Sequence, residues 1–172
     1  EDTTISTTTL REKVPERVDM KEKVASKEAD LKIRLDTFKD KKKATAAARI
    51  NTNLNKINQN QTDQMSKHLD KMSSILDRLE EKDPTLAKEA IAEAKAAIAS
   101  ASAAVAAQAV KDYTIQVTSE GKIRTDAKKQ REALHSDLKT LKELVIDAKK
   151  VVSDAIRAAK SEVKEGTGSG QQ

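Results

Sequence analysis

The chain has 172 residues, 35% of them charged and 37% hydrophobic, with two aromatic side chains, Phe38 and Tyr113, and no Cys or Trp. No Cys means no disulfide framework, no thiol nucleophile and no zinc–thiolate site, and four Gly are too few for a turn-rich sandwich or for Gly-rich phosphate loops. Lys and Arg number 33 against 28 acids, a formal net charge of +5, which supports solubility and allows weak contact with anionic surfaces or lipid but does not mark a specific nucleic-acid binder.

Residues 1–14 are Thr-rich and lack an apolar period, so they read as a flexible lead-in. Pro15 is acceptable in the first turn of a helix, which places a helix over 16–82. Within it Val24, Leu31, Leu35, Phe38, Ala46, Ile50, Leu54, Ile57, Met65, Leu69, Met72, Leu76 and Leu79 recur at threes and fours, with no Gly or Pro to interrupt. Five Asn in residues 51–60 make that stretch the weak one, where a bend or fray is expected.

Asp83-Pro84 is the clearest punctuation. Pro84 disfavours helical geometry at Asp83, and Asp83 can then cap a second helix with Pro84 in its first position. The second helix is expected over 84–164. It opens Ala-rich, with thirteen Ala among residues 87–109. It resumes a three-four pattern at Leu134, Leu138, Leu141, Val145, Ala148 and Val152. Between these, Tyr113 to Gly121 looks strand-like, but a lone strand would have no partner, so a strained helix or a break at 118–122 around Gly121 is the reading. Residues 165–172 read as a flexible tail.

A turn at 83–84 requires facing residues whose numbers sum to about 170, as in Leu79 with Ile91, Met72 with Ile98 and Met65 with Val105. The same sum sets Leu35 against Leu134, Leu31 against Leu138 and Val24 against Val145. The fold class expected is therefore all-α, a long antiparallel helical hairpin or coiled coil. A break near Gly121, giving a three- or four-helix bundle, is the alternative. Leu144, Ile146 and Val151 lie off the main seam and need a third surface, so they are the candidate interaction residues.

No chemistry-bearing constellation stands out. His68 and His135 are far apart along the chain, no Ser sits in a nucleophile elbow, and acid pairs such as Glu80-Glu81 belong to charged helix faces. The expectation is no enzyme, no catalytic residue, no metal and no cofactor. No stretch approaches the roughly 20 apolar residues of a membrane span, and Asn60-Gln61-Thr62 matches the N-glycosylation pattern on a predicted helix. The Thr-rich start and the absence of Cys lean towards an exported protein.

In outline, a hairpin of this kind resembles the basic helical arms of periplasmic holdase chaperones and the hairpins of prefoldin. The resemblance is architectural and carries over no residues. The function expected is a structural or interaction protein, a rod serving as spacer, scaffold or assembly subunit, with itself or other helices as partners. The alternative is a holdase-type chaperone or an amphipathic lipid- or client-binding module.

Overall fold

The computed structural model describes residues 8–83 and 85–168, with side chains over 22–83 and 85–163. The fold is all-α. The described residues contain four helices: α1 (Thr8–Asp36), α2 (Lys41–Lys82), α3 (Lys88–Ala109) and α4 (Ile123–Gly168). They pack as two units. One joins the described residues up to Asn58 with Val110–His135, and the other joins the described residues of Gln59–Ala109 with those from Ser136 onward. We call them unit 1 and unit 2.

In unit 2 α3 begins six residues after α2 ends, and the apolar faces of the two helices meet. Leu76, Met72, Leu69 and Met65 of α2 share one buried cluster with Ile91, Ala94, Ile98, Ala101 and Val105 of α3, and Leu79 packs against it. Lys95 reaches across to Asp77 at 2.9 Å and Glu80 at 2.6 Å, and these two acids raise its pKa above the ordinary lysine value, Glu80 first. The third surface comes from α4, through Leu141, Val145, Ala148, Val152 and Ala155. Large α2 side chains meet Ala on the two other helices, and the small partners allow the backbones close enough to fill the core.

By length and composition α3 could cross a membrane, with a mean hydropathy of 1.3 over its most apolar window. In the structure its Ile91–Val105 edge belongs to the core of unit 2.

Three boundaries differ from expectation. The first helix is not continuous over 16–82. It starts upstream at Thr8, so part of the lead-in is helical, and the missing N–H of Pro15 leaves the Arg11 carbonyl without its intrahelical partner. It then stops at Asp36. The last turn tightens through Thr37 N–H to Arg34 and Phe38 N–H to Leu35, the Thr37 hydroxyl donates to the Arg34 carbonyl, and the Lys41 ammonium caps the Asp36 carbonyl. Asp40 then begins α2 as an N-cap, its Oδ1 accepting from Lys42 N–H at 3.0 Å and Lys43 N–H at 3.2 Å.

The second helix is not continuous over 84–164 either. It is interrupted from Val110 to Lys122, well before Gly121, and residues 111–119 are non-helical. Finally, α4 runs through 165–168, so half of the expected tail is helical. Residues 1–7, Pro84 and 169–172 lie outside the described residues. Because the chain breaks on both sides, the far-end pairs are not part of one hairpin: Leu31 and Val24 belong to unit 1 and Leu138 and Val145 to unit 2, while Leu35 and Leu134 both belong to unit 1. No fray interrupts the Asn-rich run, and α2 passes through it unbroken.

Leu76 is fully buried, so Leu76→Ala should lower unfolding free energy by about 3 kcal/mol. Leu144→Ala, on an exposed flank, should change it by less than about 0.5 kcal/mol. Urea unfolding followed by circular dichroism measures both.

Candidate functional site

Asp83 does not cap α3 as expected. Its Oδ1 accepts from Thr85 N–H at 2.9 Å and from the Thr85 hydroxyl at 2.6 Å. The helix starts four residues later than Pro84, because Ala87 sits in the left-handed region with φ 47°. The Ala87 N–H donates to Glu162 Oε2 of α4 at 2.8 Å. Two carboxylates, Asp83 and Glu162, therefore hold the turn. Hydrogen bonds from the Thr85 hydroxyl and then the Thr85 N–H keep the Asp83 carboxyl below its ordinary pKa.

The three candidate interaction residues are not one stripe. Leu144 and Ile146 are 43% and 42% exposed and flank buried Val145 on opposite sides, about 200° apart around the helix. Val151 lies on the Leu144 side and is partly buried against the core of unit 2. That core contact satisfies the third-surface requirement for Val151 internally and leaves Leu144 and Ile146 facing solvent.

The stretch that looks strand-like in the sequence is neither a strained helix nor a strand. In unit 1, residues 111–119 are non-helical and pack against helices, with Tyr113, Thr114 and Ile115 all buried in succession and Val117 buried after them, while Lys111, Gln116, Thr118 and Ser119 stay exposed. Three consecutive buried residues mean that both faces of the segment are covered. No strand is present to pair with it among the described residues, so side chains supply its hydrogen bonds. Buried Asn51 accepts the Ile115 N–H through Oδ1 at 2.9 Å. Asn58, one heptad along the same face of α2, donates Nδ2 to the Lys111 carbonyl at 3.5 Å.

Two other helices complete the clamp. Arg34 of α1 donates Nη1 to the Val117 carbonyl at 2.8 Å. Asp126 of α4 accepts both the N–H and the hydroxyl of Thr118 at 2.9 Å. At one end Lys27 pairs with Asp112 at 2.9 Å. At the other the Glu120 carboxylate accepts Lys39 N–H at 3.0 Å and Asp40 N–H at 3.1 Å, locking the hinge between α1 and α2. The segment thus runs antiparallel to α2 and parallel to α1. Gly121 has open space around the position of a Cβ and no positive φ, so the chain reverses here without needing a glycine.

A shallow cleft of about 270 Å³ opens where the clamp meets the hinge, between Arg34, Thr37 and Phe38 on one side and Val117 to Glu120 on the other. Its two charged groups are engaged with main chain, Arg34 with Val117 and Glu120 with the hinge N–H groups. The arrangement holds backbone in place and presents no free acid–base pair. Among the described residues no group of three His, Cys, Asp or Glu is placed to hold a metal. Set against protein family models, curated proteins and solved structures, the chain finds no significant match.

Burial works to raise the pKa of the Asp112 carboxyl, but Thr114 and the Lys27 ammonium together outweigh it and leave the value below the ordinary one. A depressed carboxylate contributes stability above its unfolded pKa of about 3.9 and loses it as pH falls through the lower folded value. Unit 1 should therefore hold its stability from neutral pH down to about pH 4 and lose it below, and Asp112→Asn should flatten that acid limb. Tyr113, the only Tyr in a chain without Trp, reports the transition by fluorescence. With the same probe, Asn51→Ala should cost about 1–3 kcal/mol, because it strands the buried Ile115 N–H.

Proposed function

We propose that this chain is a non-enzymatic helix-packing module, a scaffold or assembly subunit whose work is geometric. One observation carries the reading: the charged and amide side chains that surround the 111–119 segment of unit 1, Asn51, Arg34, Asp126 and Glu120, are each bonded to the chain's own main chain. Groups used this way fix a platform and are not free to act on a substrate. For contact with partners, the part of α4 in unit 2 offers exposed Leu144 and Ile146 on two separate flanks. Partner helices, including those of a second copy, would pack on these flanks.

A second reading is a client- or lipid-binding helical module. Its support is α3, where only 28% of the apolar window is buried, leaving an outward face of Ala and Ser.

Leu144→Asp and Ile146→Asp should each lower the mass measured by light scattering while helicity by circular dichroism is kept. Unchanged mass in both variants would count against assembly through α4. Suppression of aggregation of an unfolded client by the unmodified chain would favour the second reading.

A further inference from the structure

We infer that the end of unit 1 built from the α1–α2 hinge and the start of α4 is a docking surface for a bilayer rich in anionic phospholipid headgroups. The inference does not depend on the scaffold reading. Its first support is the distribution of charge. Residues 39–43 and 120–132 contain nine Lys and Arg against four acids. That excess equals the +5 of the whole chain, so the rest of the sequence, with 24 of each, is balanced.

The structure gathers these two stretches at one place. Glu120, two residues before Lys122, bonds the backbone of Lys39 and Asp40, and Asp126 bonds Thr118. Both α2 and α4 begin at this end. The four acids are all engaged. Asp40, Glu120 and Asp126 accept main-chain N–H groups, and Glu132 pairs with Lys128 at 3.6 Å. Six exposed cations, Lys39, Lys42, Lys122, Arg124, Lys129 and Arg131, have no ion-pair partner among the described residues. Clusters of this size attract anionic headgroups.

The second support is apolar. Ile33, on α1 beside Arg34 and four residues from Thr37, is 66% exposed, the most exposed large hydrophobic side chain among the described residues. A residue of this kind gains by entering the headgroup region and gains nothing from a phosphate backbone. Nucleic acid is disfavoured for a further reason. Both aromatic side chains, Phe38 and Tyr113, are buried and unavailable for stacking on bases. Seven of the nine cations are Lys, point charges that suit a fluid layer of headgroups as well as they suit fixed phosphates.

The test is co-sedimentation of the full chain with phosphatidylcholine vesicles, with and without about one third phosphatidylserine. The chain should sediment only with the phosphatidylserine vesicles and should be released at about 0.5 M salt. The pair Lys42→Ala with Lys129→Ala should weaken partitioning about 30-fold, from about fivefold per cation. The pair Lys149→Ala with Lys160→Ala, exposed residues of unit 2, should leave it unchanged. Ile33→Gln should weaken vesicle binding but not retention of a short DNA duplex. Circular dichroism checks that each variant keeps its helicity. Sedimentation that does not need phosphatidylserine, no sedimentation at all, equal loss in the two lysine pairs, or tighter retention of the duplex than of the vesicles would each overturn the inference, the last in favour of nucleic acid.

Discussion

A main chain taken out of water must have its N–H and C=O groups paired. Helices meet that requirement internally, but the stretch from Lys111 to Ser119 cannot. Thr114, Ile115, Val117 and Thr118 are β-branched and favour extended geometry, and no neighbouring strand offers a ladder. The polar side chains of three helices take its place. Asn51 answers the Ile115 N–H, Arg34 the Val117 carbonyl and Asp126 the Thr118 N–H. The positions of α1, the first turns of α2 and the start of α4 within unit 1 follow from this arrangement. The Glu120 carboxylate extends it to the hinge, where it closes two more main-chain N–H groups.

Unit 2 solves a different problem with different means. Its hydrophobic residues are modest in size and contain no aromatics. Ala94, Ala101, Ala148 and Ala155 let the helices approach closely enough for Leu69, Met72 and Leu76 to fill the space. Specificity here comes from alternating large and small residues, with Lys95 bridging Asp77 and Glu80 at the rim. Both α2 and α4 contribute residues to both units.

The sequence was legible where apolar spacing and turn chemistry agreed. Leu79, Leu76 and Met72 against Ile91, Ala94 and Ile98 could be paired by arithmetic, because a short turn at Asp83 imposes a register. The hinge at Thr37–Asp40 was harder to see, since it carries neither Gly nor Pro. Its signal was Asp40 ahead of three Lys, an N-cap that also starts a helix. The Asn-rich run was read as a weakness because Asn competes with helical hydrogen bonds. In the structure the same capacity is turned outward, and Asn51 and Asn58, seven apart and buried, receive the backbone of the extended segment. Buried Asn at heptad spacing in one helix, together with a β-branched run that has no strand partner, was the combination that could have pointed to the clamp. The separation of Leu144 from Ile146 by about 200° follows from helix geometry alone. Which flank would remain exposed depended on where α4 packs, and periodicity does not specify that.

Native-state hydrogen exchange of the Ile115 amide tests the central claim most directly. If the extended segment is enclosed and its N–H is held by Asn51, that amide exchanges as slowly as the amides of the α2 core around Leu54. Exchange as fast as that of an exposed loop amide such as Gly121 would contradict the account.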